Sequence, residues 1–196
     1  MPKSFDDWLA FIQQQHSMLM QLGLERISKV AMQAGLLKKT CPIVLVGGTN
    51  GKGSCIHTMT QILLHHGCRV ATFISPHIHC FRERALIQNQ PCSEQEWEEA
   101  FHFVHHYSQG TALTYFEYTT LAALRLFSLQ SLDFILLEVG LGGRLDASNV
   151  VDPDLSIITS IGFDHCQWLG NTLSAIASEK AGILRYKKPV IIGETQ

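Results

Sequence analysis

The spacing of apolar positions changes character along the chain. After Ser4, apolar residues recur at helical spacing, which predicts an opening helix with a capped first turn that ends at Gly23. A second short helix is predicted over residues 25–34 and ends before Gly35. From residue 42 onward, short apolar runs rich in β-branched residues alternate with helical segments. This alternation predicts repeated β-α-β units.

The later elements follow from the same pattern. Strands are predicted at residues 42–46, 69–74, 134–139, 155–161 and 190–192, and helices at residues 52–66, 93–110, 117–129 and 172–184. Because these strands are continuously apolar, we expect helices to cover both faces of the sheet. We therefore predict an α/β fold with three layers and a doubly wound, mostly parallel sheet, in which ligands bind beyond the carboxyl ends of the strands.

Composition narrows the class of protein. The 196 residues, with 46% hydrophobic and 16% charged, suffice for one globular core, and the net charge of -2 offers no basic surface for nucleic acid. We expect small-molecule partners, no nucleic acid and no membrane, because no apolar run approaches ~20 residues. Six cysteines without a C-x-x-C pair favour reduced thiols in a cytoplasmic protein. The chain ends at Gln196 directly after a predicted strand, which we interpret as truncation.

A glycine-rich stretch joins the first predicted strand to the following helix. It consists of Gly48, Thr49, Asn50, Gly51, Lys52, Gly53 and Ser54. Glycines let successive N–H groups converge on phosphate oxygens at the positive end of a helix, while Lys52 adds a cation and Ser54 a hydroxyl for phosphate or Mg²⁺. The match to G-x-x-x-x-G-K-[ST] is imperfect, because Val46 occupies the first glycine position and Gly53 follows the lysine. The alternative is a turn that binds nothing.

Polar residues stand where three predicted strands end. Glu138 closes one apolar run, Ser75 follows another and His165 follows a third. Carboxyl ends of parallel strands share one edge, and a buried lone carboxylate requires a cation. These three side chains are candidate ligands for Mg²⁺ bound to phosphates. The alternative interpretation pairs Glu138 with Arg144 and uses His165 only to cap its loop.

Histidines and cysteines offer a competing metal hypothesis. Residues 77–80 contain two histidines and one cysteine, but no second pair stands at ligand spacing. Structural zinc is therefore the weaker interpretation. Three further histidines, on a predicted amphipathic helix, are assigned to its solvated face: His102, His105 and His106.

Six short motifs occur in order along the chain, at residues 48–54, 75–77, 114–117, 138–147, 164–165 and 178–182. Together they resemble the folylpolyglutamate and dihydrofolate synthases of the wider Mur ligase superfamily, from residue 21 to the end. Peptidoglycan-precursor ligases of that superfamily usually place threonine or serine directly after the loop lysine. The order Lys52-Gly53-Ser54 resembles the folate branch instead.

The resemblance implies roles for individual residues. Gly51 to Ser54 would hold ATP phosphates, Ser75 and Glu138 one Mg²⁺, and Glu138 with His165 a second. It also implies that Lys180 is carbamylated near the metals, whereas the residues alone favour a helix-surface lysine beside Glu179. The implied catalytic set is Lys52, Glu138, His165 and Lys180. The implied pterin-binding residues are Leu22, Gly23, Leu24, Thr114, Tyr115, Phe116, Glu117, Leu145, Asp146 and Ala147.

The implied reaction is an ATP-dependent amide synthesis. The γ-phosphoryl group of ATP would pass to the carboxylate of dihydropteroate or folate, and the amine of L-glutamate would attack the acyl phosphate. By this interpretation residues 1–196 form an ATP-binding domain with a helical segment at residues 1–39, and a glutamate-handling carboxyl-terminal domain is absent. We expect a monomer with little or no ligase turnover.

Two other functions remain open at this stage. One is a Mur-type amino-acid ligase for peptidoglycan precursors, which substrate-dependent phosphate release would separate from the folate branch. The other is a non-catalytic nucleotide-binding module. A GTPase switch would carry an Asn-Lys-x-Asp motif, which the sequence lacks.

Overall fold

Helices and strands alternate through most of the chain, as the apolar pattern predicts. The computed structural model describes residues 2–15 and 21–193. Its helices are α1 Phe5–Gln14, α2 Glu25–Gln33, α3 Lys52–His65, α4 Glu94–Ser108, α5 Tyr115–Ser128, α6 Cys166–Leu169 and α7 Leu173–Ala181. Its strands are β1 Ile43–Gly47, β2 Val70–Phe73, β3 Ala85–Ile87, β4 Gln90–Pro91, β5 Phe134–Glu138, β6 Leu155–Ile158 and β7 Val190–Ile192. Two 3-10 turns span Phe81–Arg84 and Ala147–Val150.

The strands form one sheet in the order β4-β3-β2-β5-β1-β6-β7. β1 pairs in parallel with β5 on one side and β6 on the other, and β2 and β7 extend the parallel part. From β1 the chain crosses to β2 on one side of the sheet and later to β6 on the other. The carboxyl end of β1 therefore lies at a switch point, where ligands bind in such sheets.

Both faces of the sheet are buried, which confirms the predicted three-layer α/β fold. Ile43 and Leu45 of β1 join a core that includes residues of α1, α2, α4 and α5. Val44 and Val46 point to the opposite face and pack with Ile56 of α3. Neighbouring positions of one strand thus serve different layers, so the strand is apolar throughout.

Several predicted helix boundaries are wrong; α7, for example, ends at Ala181 rather than at residue 184. α1 begins after its Ser4 cap as predicted but ends at Gln14 instead of continuing to Gly23; residues 16–20 of that prediction lie outside the described residues. α5 begins at Tyr115 rather than at residue 117, because the Thr114 side chain accepts the N–H of Glu117 and the Glu117 side chain returns to the Thr114 N–H.

The sequence pattern missed an antiparallel hairpin. β3 pairs antiparallel with β2, and β4 with β3, so the sheet is mixed at this edge. Gln88 and Asn89 form the two-residue turn with φ of +54° and +60°, the left-handed geometry that such tight hairpins need. Strands of three and two residues are too short to produce a readable alternation.

None of the helices within residues 2–15 and 21–193 has both the length and the apolar character required to cross a bilayer.

Candidate functional site

The loop between β1 and α3 is fastened to the segment after β6. The N–H of Thr49 donates to the Ser160 carbonyl at 2.8 Å, and the N–H of Asn50 donates to the Ser160 hydroxyl at 3.1 Å. The Thr49 hydroxyl accepts the N–H of Gly162 at 2.9 Å. The expectation that all amides from Gly48 onward converge on a ligand is therefore wrong for Thr49 and Asn50, which bond within the protein.

Two glycines permit this path of the loop. Gly48 has φ +141° and Gly51 has φ +85°, a region that side-chain-bearing residues rarely adopt. A Cβ on Gly48 would also collide with the hydroxyl oxygen of Thr159. The loop can approach the end of β6 closely only because this position lacks a side chain.

Lys52 closes the loop from the helix side. Its ammonium group donates to the carbonyl oxygens of Gly48 and Thr49, each at 3.1 Å. These bonds curl the half-buried lysine back over the loop and place its positive charge beside the peptide units where β1 ends.

The first turn of α3 presents amides to the space beyond the sheet. Cys55 is the first residue of the helix to donate backward, to the Gly51 carbonyl at 2.9 Å. The N–H groups of Lys52, Gly53 and Ser54 precede it and have no acceptor within a helix. Together with the helix dipole and the ammonium group, they form a site suited to phosphate oxygens.

Glu138 lies directly beside this turn. It ends β5, is 6% exposed, and accepts the N–H of Ser75 at 3.0 Å through Oε2. A Cβ on Gly53 would lie 3.8 and 3.9 Å from the two carboxylate oxygens, so the glycine keeps the approach open. Burial raises the pKa of Glu138, and the Ser75 amide and Lys52 act in the opposite direction. A buried carboxylate that accepts one amide within the described part of the chain is suited to a divalent cation.

The proposed partner of Glu138 in the non-metal interpretation is engaged elsewhere. Arg144 places its guanidinium 2.8 Å from the carboxylate of Glu179 and also donates its backbone N–H to the Glu179 carbonyl. The alternative Glu138–Arg144 pair is therefore wrong.

The structure places Ser75 and His165 on one cavity. Ser75 precedes Pro76 through a cis peptide bond. His165 is the N-cap of α6 with φ +48°, and its exposed ring lies 3.6 Å from the carboxylate of Asp164. In the described part of the chain neither a hydrogen bond nor an ion pair joins His165 to Glu138, and no group of three or more His, Cys, Asp or Glu side chains is arranged to hold a metal.

The cavity has a volume of about 300 Å³ and opens beside Ser75 and His165. Its wall is largely apolar and aromatic, and seven of the ten residues predicted to bind the pterin line it. These are Leu22, Thr114, Tyr115, Phe116, Leu145, Asp146 and Ala147. The fold thus unites three distant segments around one space. Ser75 on its wall bonds to Glu138, which lies beside Gly53 of the phosphate-type loop.

The other three predicted pterin residues lie behind this wall. The N–H of Gly23 donates to the carbonyl of Leu145 at 3.3 Å, and Leu24 is the N-cap of α2. Glu117 is buried and forms an ion pair with Arg26 at 3.1 Å. They hold the lining in place rather than face the cavity.

Asp146 is both a lining residue and an internal anchor. Its Oδ2 accepts the N–H of Leu141 at 2.8 Å, and its Oδ1 accepts the N–H and the hydroxyl of Ser148 at 2.9 and 2.5 Å. Burial raises the pKa of Asp146, and these donors act against that shift. The carboxylate therefore fixes the loop between β5 and the second 3-10 turn.

Lys180 lies inside the protein, near the end of α7. It is 3% exposed, so its interpretation as a surface lysine is wrong. Burial, followed by the neighbouring ammonium group of Lys52, lowers the pKa of Lys180 to about 8, while Asp164 acts in the opposite direction. A lysine with such a pKa has a sizeable fraction of neutral, nucleophilic amine near neutral pH.

The histidines of the predicted helix face divide between solvent and core. His102 and His106 are exposed, but His105 is half-buried and packs against Phe11 at a ring distance of 5.3 Å. The assignment of a solvated face is therefore wrong for His105.

Sequence reasoning missed five further lining residues. They are Gln21, Pro76, Arg84, Gly140 and Leu141. The Ser-Pro dipeptide signals a turn, and Gly140-Leu141 belongs to a motif already noted, so those positions carried some signal. Arg84 carried none, because only the folded 3-10 turn brings it to the cavity.

Comparison with known proteins places this arrangement in a family. The Mur ligase middle domain profile matches residues 46–193. A curated relative from Haemophilus influenzae, named dihydrofolate synthase/folylpolyglutamate synthase, is 47% identical over 188 residues, which are 96% of this chain and 43% of the relative. The chain therefore spans less than half the length of that protein.

Solved structures agree with the sequence match. E. coli FolC in complex with DHPP and ADP superposes with a TM-score of 0.96 at 44% identity, over 98% of this chain and 46% of that one. A bifunctional folylpolyglutamate synthase/dihydrofolate synthase with Mn, AMPPNP and L-glutamate bound gives a TM-score of 0.91 at 46% identity, over 97% and 46% of the respective chains. The chain belongs to the Mur ligase middle domain family.

Proposed function

We propose that this chain is the nucleotide- and metal-binding part of an ATP-dependent ligase that joins L-glutamate to dihydropteroate or a folate. The observation that carries the proposal is the position of Glu138. Its buried carboxylate lies beside the first turn of α3 and bonds to Ser75, which lines a largely apolar cavity. A phosphate site, a metal ligand and an acid-binding cavity are the parts that carboxylate phosphorylation needs.

The chemistry follows from the charges of the reactants. A carboxylate is a poor electrophile because oxide is a poor leaving group; transfer of the γ-phosphoryl group makes the leaving group phosphate. The amine of glutamate then forms the amide. The protein must bring two anions together, and the amides of residues 52–54 with the Lys52 ammonium group offset that repulsion.

Glu138 and Ser75 fit a divalent cation bound to the nucleotide, with His165 on the same cavity as a candidate for a second. Magnesium bound to phosphates uses one or two carboxylates and keeps waters, so a denser protein cluster is not required. The cation would neutralise phosphoryl charge. A relative with Mn, AMPPNP and L-glutamate bound supports this assignment.

Lys180 suits the carbamylation that the family resemblance implies. Reaction with CO₂ requires a neutral amine, which the lowered pKa of about 8 provides, and the carbamate would be an anion near Lys52. ¹³C NMR in ¹³C-bicarbonate at pH 8 should give one carbamate resonance that Lys180→Met removes. A spectrum unchanged by that substitution would contradict the modification.

The cavity favours the folate branch over peptidoglycan precursors. Its wall of Leu22, Tyr115 and Phe116 suits a flat aromatic acid, and about 300 Å³ is at the small end for ligand sites. A nucleotide-linked sugar peptide would need more space. Because the chain covers 46% of its structural relatives, we place glutamate handling largely in the portion it does not match.

Calorimetry on the 196-residue chain tests the proposal. We expect Mn²⁺-dependent binding of AMPPNP that Lys52→Ala weakens by at least about tenfold, and separate binding of dihydropteroate that this variant leaves unchanged. Lys188→Ala, which removes an exposed lysine that precedes β7 and pairs with Asp154, is the matched control. Absence of dihydropteroate binding, or tighter binding of a UDP-muramoyl peptide, would refute the folate assignment.

Steady-state turnover gives a second measurement. The chain alone should show little glutamate incorporation with ATP and dihydropteroate. Rapid turnover would disprove our placement of glutamate handling.

A further inference from the structure

Arg84 is a buried cation on the wall of the cavity. It ends the 3-10 turn Phe81–Arg84 and is 7% exposed. Its guanidinium lies 5.7 Å from the ring centroid of Phe81 and 5.6 Å from that of Tyr115. These two rings fix the plane of the guanidinium and shield it from water.

The side-chain hydrogen bond of Arg84 goes to an imidazole rather than to a carboxylate. Its Nε donates to Nδ1 of His77 at 2.9 Å, so this imidazole nitrogen is an acceptor and carries no proton. Among residues 2–15 and 21–193, no Asp or Glu carboxylate lies within ion-pair distance of the guanidinium.

Burying an uncompensated charge is costly, and a guanidinium remains charged at any ordinary pH. Burial lowers the pKa of Arg84 without neutralising it. The Nη groups, which make no hydrogen bond within the described residues, are the donors left for a ligand. A planar pair of such donors matches the two oxygens of a carboxylate.

A backbone hydrogen bond ties Arg84 to the segment that carries Ser75. The carbonyl of Arg84 accepts the N–H of Ile74 at 3.0 Å, next to the cis peptide between Ser75 and Pro76. Glu83, the preceding residue, accepts three backbone amides of the same loop. Arg84 is therefore held on the same cavity as the candidate metal residues Ser75 and His165.

We propose that Arg84 binds the carboxylate of the aromatic acid in the cavity and holds it toward the nucleotide. This inference rests on the proposed function and assigns a residue to the reacting group of its substrate. The neutral His77 is a positioning residue, because it orients the guanidinium through Nε and leaves both Nη groups for the ligand.

Paired ligands can test this assignment directly. Calorimetry would compare dihydropteroate with its carboxamide, which has the same rings but no charge, on the native chain, Arg84→Met and Arg84→Lys. We expect Arg84→Met to weaken the binding of dihydropteroate by about 10- to 100-fold, the range for a lost charged hydrogen bond. Binding of the carboxamide should weaken by less than about threefold. Arg84→Lys should retain charge but lose bidentate geometry, with an intermediate loss.

Arg125→Met is the matched control. Arg125 also packs over a ring, that of Phe103 at 4.1 Å, but lies on another face of the molecule. We expect Arg125→Met to leave the affinity for both ligands unchanged. The melting temperature of Arg84→Met should equal or exceed that of the native chain, because methionine removes a buried uncompensated charge.

Several results would overturn the assignment. Equal losses for acid and carboxamide would make Arg84 a merely structural residue, as would a native chain that binds both equally. If the Arg84 substitutions weakened the binding of L-glutamate but not that of dihydropteroate, the guanidinium would be a ligand of the amino acid instead. If the native chain binds neither pterin, the proposed function itself fails. If Arg84→Met does not fold, the comparison rests on Arg84→Lys, whose loss must still be selective for the acid.

Discussion

The regions around Glu138 and Asp146 each bury a carboxylate at the same edge of the sheet, yet they use it differently. Asp146 accepts three hydrogen bonds from Leu141 and Ser148 and anchors a loop. Among the described residues, Glu138 accepts one, from the Ser75 amide, and it adjoins the open first turn of α3. Burial raises the pKa of both carboxyl groups.

The difference separates structural from functional polar groups. A carboxylate whose oxygens are fully engaged stabilises its surroundings and has little capacity for a ligand. A carboxylate left with few donors costs stability and is retained when something else binds it. By this criterion we propose that Glu138 and Arg84 bind ligands, whereas Asp146 holds the cavity wall.

Removing the Asp146 side chain should have the largest effect. Asp146→Ala leaves the amides of Leu141 and Ser148 without their acceptor, so we expect the free energy of unfolding to fall by about 3 kcal/mol. Thermal unfolding should show a melting temperature lower by roughly 6–12 °C. Asp152→Ala, which removes a largely exposed carboxylate, is the control. A change below about 1 kcal/mol would mean that the loop does not depend on this anchor.

Replacing Glu138 should affect binding instead. Glu138→Gln retains an acceptor for the Ser75 amide but loses the charge, so we expect Mn²⁺ affinity in the presence of AMPPNP to fall at least about 100-fold. Without metal, the melting temperature should rise by about 2–4 °C because a buried charge is gone. Calorimetry and thermal scans measure both. A variant that melts lower yet binds Mn²⁺ normally would reverse our distinction between the two regions.

The difference in melting temperature between the native protein and Glu138→Gln should depend on pH. Burial raises the folded-state pKa of Glu138 above 4.5, so its protonated form favours folding and that contribution is lost as pH rises through the folded pKa. Glu138→Gln should therefore melt at nearly the native temperature below about pH 4.5 and progressively higher above it. Metal-free thermal scans from pH 4 to 8 measure this trend. The opposite slope would mean that the carboxylate is stabilised on folding.

Filling the space at Gly53 should produce the smallest effect. A Cβ there meets the Glu138 oxygens at ordinary van der Waals distance, so Gly53→Ala should fold and gain up to about 1 kcal/mol in helix propensity. We expect Mn²⁺ and AMPPNP to bind about threefold more weakly, since the methyl group narrows their approach. Gly48→Ala is the informative contrast: its Cβ collides with Thr159 and its φ is positive, so it should destabilise strongly.

Much of the fold could be predicted from periodicity. β1, β2, β5 and β6 are apolar because residues such as Val44 and Leu45 serve opposite layers, and that signal is local. The hairpin of β3 and β4 escaped prediction because its strands are short and its pairing depends on β2. The end of α1 also escaped, since apolar residues beyond Gln14 continue a helical spacing.

The candidate site also has parts that the sequence predicts and parts that it does not. The loop from Gly48 to Ser54 is contiguous, so its glycines and lysine identify it directly. The engagement of Thr49 and Asn50 by Ser160 was invisible, because more than a hundred residues separate the partners. The burial of Lys180 was also invisible in the sequence, because its position near a helix end resembles that of any surface lysine.

The sequence by itself determined which segments are strands and helices, where the phosphate-type loop lies, and which residue types meet at the carboxyl edge of the sheet, because these depend on neighbours along the chain. Tertiary structure decided which of the polar groups are satisfied: Asp146 by its loop, Glu138 only in part, and Arg84 by no carboxylate among the described residues. Whether a polar group finds a hydrogen-bonding or ionic partner depends on distances between segments remote in sequence, and those distances are set only when the layers pack.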